Sequence, residues 1–199
     1  MVNVIGLGYI GLPTALMMAS HGVDVTGTDY NEDLVATLNA GRTTFKEEGL
    51  DELFEAAVKA GVKFTTEYQK CDTYIVSVPT PYDKVDKRID PSYVVTACET
   101  VLEVAPEGAT LVIESTISPN TIERFVRPLL EGVGRQAVPL VHAPERIIPG
   151  NIGYILKNLL LDQFGKKAPI GNTVKYATEQ HKQSGSGLQL VSKLHRRFP

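Results

Sequence analysis

The stretch Val2-Asn3-Val4-Ile5-Gly6-Leu7-Gly8-Tyr9-Ile10-Gly11-Leu12-Pro13 decides the fold. An apolar strand begins almost at the first residue and runs into three glycines at G-x-G-x-x-G spacing. Such a turn brings backbone N–H groups against a diphosphate. The first glycine makes the tight turn, the second lets the backbone approach the phosphates, and the third lets the next helix pack on the sheet. The N-terminus of that helix then offers unpaired N–H groups and the positive end of its dipole to an anion.

The motif is weak alone, and its surroundings strengthen it. Thr14 to His21 places Ala15, Leu16, Met18 and Ala19 on helical spacing, with Gly22 as a stop. A second strand, Val23 to Thr28, ends at Asp29, 18 residues beyond Gly11. A carboxylate about 20 residues on is where a dinucleotide-binding unit grips the adenosine ribose. Because an acid repels a 2′-phosphate, the expected cofactor is NAD rather than NADP.

Outward from this unit, strand and helix signals alternate to about residue 148, the pattern of a doubly wound parallel sheet of about six strands. Helices are expected over Asn31–Ala40, with Asn31 as N-cap, and over Gly49–Ala60, before a short strand at Val62–Thr65. A fourth strand, Thr73–Val78, stops at Pro79-Thr80-Pro81. A polar loop, Tyr82–Asp90, then leads to a helix near Pro91. A fifth strand, Thr110–Glu114, precedes Ser115-Thr116 and a helix from about Pro119 to Glu131. The sixth, Ala137–Val141, runs into His142-Ala143-Pro144-Glu145-Arg146. Ligands bind outside the carboxyl ends of such strands, where strand order reverses. Thr80, Thr116 and Glu145 should therefore share one crevice, beside phosphates held by Gly8 and Tyr9.

The organisation expected is a Rossmann-like domain over 1–149, an amphipathic helix over 150–164 and a basic, weakly structured tail over 165–199. Ile152, Ile155, Leu156, Leu159 and Leu160 supply the apolar stripe of that helix. The net charge of −3 is split: residues 1–164 carry 13 basic against 22 acidic residues, and residues 165–199 carry 7 against 1. The tail lacks the interleaved aromatics of a single-strand binder, so no nucleic-acid partner is expected. No apolar run approaches the ~20 residues of a membrane span. The first 20 residues lack a basic start and are broken by Gly6, Gly8, Gly11 and Pro13, unlike a signal peptide. The expected location is cytoplasmic. Cys71 and Cys98 have neither metal-ligand spacing nor a base partner and read as small core residues; no metal is expected.

With these residues in place, the chain resembles the UDP-glucose/GDP-mannose dehydrogenase family, in its N-terminal NAD-binding domain. The resemblance rests on Gly6–Pro13, Val78-Pro79-Thr80-Pro81, Glu114-Ser115-Thr116 and Pro144-Glu145-Arg146 across about 150 residues. The version Pro144-Glu145-Arg146-Ile147-Ile148-Pro149-Gly150 is similar to the branch acting on UDP-N-acetylhexosamines such as UDP-N-acetylmannosamine.

The resemblance implies oxidation of a nucleotide sugar at C6 to the uronic acid with two NAD, through a thiohemiacetal and a thioester on a cysteine. It implies that Gly6, Gly8, Tyr9, Ile10 and Gly11 bind the diphosphate and Asp29 the ribose, while Ser77, Val78 and Thr80 line the groove. Thr116 would hold a water or substrate oxygen by the nicotinamide, and Glu145 would be base to the hydrolytic water. The family's cysteine, its companion lysine and aspartate, and its UDP-binding domain would lie beyond this sequence, so turnover by this chain alone is not expected. Leu34 stands where many members carry a basic residue, and Asn120 where a glycine is common. A UDP-sugar substrate and a homo-oligomer are the expected partners. The alternative is a non-catalytic NAD-binding or oligomerisation module. A hydroxyacid or phosphogluconate type of dehydrogenase fits less well, because it lacks the turns at Val78–Pro81 and Pro144–Arg146.

Overall fold

A computed structural model describes residues 1–85 and 87–144. Six strands form one parallel sheet: β1 (Val2–Ile5), β2 (Val25–Thr28), β3 (Lys63–Thr65), β4 (Thr73–Val76), β7 (Thr110–Ile113) and β8 (Leu140–His142). Their spatial order is β3-β2-β1-β4-β7-β8, and every pairing is parallel. The order reverses between β1 and β4, which marks the crevice where a doubly wound sheet takes its ligand. The expected fold class is therefore the one observed.

Helices α1 (Gly11–Ser20), α2 (Glu32–Asn39) and α3 (Leu50–Lys59) belong to the first half, and α4 (Ser92–Val104) and α5 (Arg127–Gly132) to the second. Alternation along β1 and β4 sends neighbouring side chains to opposite faces. Val4 joins a cluster with Leu12, Leu16, Leu38 and Phe54, whereas Ile5 joins one with Tyr74, Val76, Val94, Cys98 and Val126. Each half thus packs its helices on its own face. In β2, Gly27 has no side chain because Leu7 and Phe64 fill that space; a Cβ there would lie 2.8 Å from Leu7 Cδ2. Asn31 caps α2 as expected, accepting from the Leu34 N–H at 3.1 Å.

Several boundaries differ from the sequence expectation. Helix α1 begins at Gly11 rather than Thr14, because Pro13 suits a first turn that needs no N–H from it. Strand β2 starts at Val25, β4 ends at Val76 and β8 covers Leu140–His142. Ser77 and Val78 leave the ladder. The loop expected over Tyr82–Asp90 holds a small antiparallel pair, β5 (Tyr82–Asp83) with β6 (Arg88–Ile89), closed by a bond from the Asp90 N–H to Pro81 O at 2.8 Å.

The helix expected from Pro119 starts later and has two parts. Asn120 sits at φ +66, a conformation that asparagine tolerates better than most residues and glycine better still. One π-helical turn, Ile122–Val126, then precedes α5, with the Arg127 N–H bonded to Ile122 O. Pro128 explains the wide turn: it has no N–H to give Arg124 O, and its ring crowds that carbonyl. The amphipathic helix at 150–164, the basic tail at 165–199 and the boundary at 149 lie outside the described residues.

Candidate functional site

The site grows from the turn after β1. Gly6 has φ +89, and a Cβ on it would stand 2.5 Å from Ser77 O. A Cβ on Gly11 would collide with Gly6 O. These two glycines let the turn, α1 and the end of β4 close on one another. Gly8 differs: apart from its own chain neighbours, nothing lies within 4 Å of where its Cβ would be, and it is exposed. A diphosphate approaching this backbone finds open space, while Gly6 and Gly11 are closed by protein.

Helix α1 presents a bare N-terminus beside that space. No side chain caps it, and its first turn holds no acid. Such an end favours an anion, so the residues present fit a dinucleotide diphosphate. Tyr9 and Ile10 lie between the open glycine and the helix. The Tyr9 ring, half exposed, stacks on Phe45 with centroids 4.3 Å apart. Phe45 comes from the segment joining α2 to α3.

Asp29 ends β2 with little exposure. Its Oδ2 accepts from the Leu7 N–H at 2.7 Å and its Oδ1 from the Asn31 N–H at 3.0 Å. Each oxygen keeps a further lone pair for a sugar hydroxyl. Asn3, fully buried in β1, supports this end of the sheet. It donates to Thr26 O at 2.9 Å and to Thr28 Oγ1 at 2.8 Å, and accepts from the Gln69 N–H at 3.1 Å. Leu34, in α2, packs against the first core cluster.

Across the strand-order reversal, the Ser77 N–H bonds to Ile5 O at 2.7 Å and its hydroxyl donates to Glu114 Oε2 at 2.8 Å. Glu114, at the end of β7 and buried, also accepts from Thr14 Oγ1 at 3.0 Å through Oε1. The Ser115 hydroxyl donates to Val78 O at 2.7 Å, joining the loops after β4 and β7. Val78 and Thr80 are half-buried and Thr116 is exposed. His142 follows on β8, its Nε2 3.4 Å from Ser115 O; burial lowers its pKa, and the Ser115 carbonyl partly offsets this.

The structure thus brings the glycine turn, Asp29 and Ser77 into one locus. Val78, Thr80 and Thr116 stand on adjacent strand ends of the same edge. Glu145 lies outside the described residues. The two cysteines are buried core residues, with the Cys98 thiol pushed up to about 12 by burial. Among the described residues no cluster of metal-ligating side chains occurs, and no helix is long and apolar enough to cross a membrane.

Thr14, Phe45 and the buried contacts of Glu114 were not singled out from sequence. The available signal for Glu114 was an acid directly after an apolar strand and before Ser115-Thr116.

Comparison with known proteins assigns the architecture to a family. The NAD binding domain of the UDP-glucose/GDP-mannose dehydrogenase family matches residues 1–160. The chain is 40% identical over 155 residues to a UDP-N-acetyl-D-mannosamine dehydrogenase of Methanococcus maripaludis, covering 76% of this chain and 35% of that protein. It is 37% identical over 162 residues to an NDP-N-acetyl-D-galactosaminuronic acid dehydrogenase of Ralstonia nicotianae, covering 76% of this chain and 38% of that one. Among solved structures, the UDP-N-acetyl-mannosamine dehydrogenase of Staphylococcus aureus superposes with a TM-score of 0.74 at 40% identity, over 79% of this chain and 39% of that chain. The chain therefore spans little more than a third of the length of these relatives. From the glycine turn to the end of the sheet, this chain belongs to the UDP-glucose/GDP-mannose dehydrogenase family and carries its NAD-binding domain.

Proposed function

We propose that this chain holds NAD across the edge between β1 and β4 and serves the oxidation of a UDP-N-acetylhexosamine, of the UDP-N-acetylmannosamine kind, at C6. The observation that carries this reading is the glycine turn with its open Gly8, bonded through Leu7 to the acid that ends β2. Gly6, Gly8, Tyr9, Ile10 and Gly11 receive the diphosphate, and Asp29 takes the adenosine ribose. Ser77, Val78 and Thr80 border the groove, and Thr116 faces the reacting end. Glu145 is assigned as base to the hydrolytic water, on its place after β8 in the Pro-Glu-Arg motif.

The relatives named for UDP-N-acetylmannosamine support the sugar assignment, and the galactosaminuronic acid relative keeps the neighbouring hexosamine in view. The chain matches little more than a third of the length of these relatives, and turnover is assigned to the parts of them that it does not match. A homo-oligomer working in the cytoplasm on a UDP-sugar completes this reading.

Calorimetry with NAD tests the first half: saturable heat is expected, abolished or weakened at least tenfold in Asp29→Ala. No heat with either NAD or NADH would overturn it. NADH formation from UDP-N-acetylmannosamine by this chain alone would contradict the division of labour.

A further inference from the structure

The proposed NAD site has a buried polar bridge beneath it that joins its two halves. Thr14 lies in α1, the helix whose N-terminus meets the glycine turn. Ser77 directly follows β4, and Glu114 directly follows β7. The Glu114 carboxylate takes the Thr14 hydroxyl on one oxygen at 3.0 Å and the Ser77 hydroxyl on the other at 2.8 Å. All three residues are buried.

The position of this bridge matters more than its strength. Helix α1 is packed by the first core cluster, through Leu12, Ala15 and Leu16, whereas Val76 and Ile113 belong to the second. A dinucleotide spans two mononucleotide-binding halves that meet where strand order reverses. Its diphosphate follows α1, and its nicotinamide half follows the ends of β4 and β7. The spacing between those supports decides whether one molecule can satisfy both at once.

We propose that Glu114 is a positioning residue that sets α1 against the ends of β4 and β7, so that both halves of NAD are held together. The inference rests on the NAD-binding reading given above. A ligand that occupies only the first half can follow α1 wherever it settles. NAD has a fixed length and must meet both supports, so misalignment costs it the advantage of linkage.

The test compares NAD with ADP by calorimetry on the folded chain, well below its unfolding transition. In Glu114→Ala the Kd for NAD should rise about tenfold, while that for ADP changes less than twofold. Glu114→Gln, whose amide accepts from one hydroxyl and donates to the other, should bring NAD back to within about threefold of the parent. Thr14→Val removes the other arm, at a residue not assigned to the cofactor, and is read in the same way should the alanine at 114 not fold.

Equal weakening of ADP and NAD, or no weakening of NAD, would overturn the proposal, since a purely structural contact lowers thermal stability without separating the two ligands. Failure of glutamine to rescue would assign the effect to charge and also overturn it. Absence of NAD binding in the parent chain would instead sink the cofactor reading, and this inference with it.

Discussion

The Leu7 N–H and the Asp29 carboxylate meet at 2.7 Å, so the turn over the diphosphate position and the acid that ends β2 are one hydrogen-bonded unit. The acid assigned to the ribose also sets the shape of the loop assigned to the phosphates. Removing it should therefore cost both affinity and stability.

Asp29→Ala leaves the buried Leu7 N–H and the Asn31 N–H without their acceptor. An unsatisfied buried donor costs about 1–3 kcal/mol, so thermal unfolding should shift down by roughly 5 °C. NAD affinity should fall at least tenfold in calorimetry. Asp29→Asn should not rescue both losses, because its amide turns a donor toward one of the two N–H groups.

The last two glycines of the motif should respond in opposite ways. Gly11→Ala drives a methyl into Gly6 O, a backbone atom that cannot swing aside, and should lose about 3 kcal/mol in denaturant unfolding. Gly8→Ala meets nothing within 4 Å and should leave the unfolding midpoint unchanged. It should nevertheless weaken NAD by tenfold or more, because the methyl stands where the diphosphate must approach. Loss of stability at Gly8 without loss of affinity would contradict the site.

His142 gives the fold a predictable response to acid. Burial holds its folded pKa below the usual 6.5, so between those two values the unfolded chain binds more protons than the folded one. Stability should therefore be full above about pH 6.5, decline as the pH drops through that value, and level off below the lowered pKa. Denaturant midpoints measured across this range should show the slope in the parent and a shallower one in His142→Gln.

Both thiols should be silent until the chain opens. Cys98 is fully buried with its pKa pushed up to about 12, first by burial and then by Glu99, and burial also raises Cys71. A thiol reagent at pH 8 should label neither in the folded chain and both in denaturant. Rapid labelling without denaturant would show that the second core cluster opens locally.

The first βαβ unit was legible because each of its signals is local. Glycine spacing, helical periodicity and an acid at the expected distance all fall within Val2–Asp29, and the sheet followed from the alternation of strands and helices. What the sequence hid was decided by distant partners. Glu114 looks like any acid at a strand end until the topology places Thr14, 100 residues away, against it. Pro128 was visible, but its effect appears as a widened turn upstream, where no residue announces it. The hairpin at Tyr82–Ile89 has too few apolar residues to register as strands. Ser77 and Val78 were read as strand because they continue an apolar run. The pairing stops at Val76, although the Ser77 N–H still reaches Ile5 O, and beyond it the Val78 carbonyl turns to the Ser115 hydroxyl.

The sheet order carries a consequence for biosynthesis. Strand β1 is made first yet lies in the middle, with β2 on one flank and β4 on the other. On the ribosome it can zip to β2 early, but its second edge stays open until Val76 has cleared the exit tunnel. Nascent chains arrested before that point should leave this edge of β1 open to chaperones, and those in which Val76 has emerged should have it covered by β4.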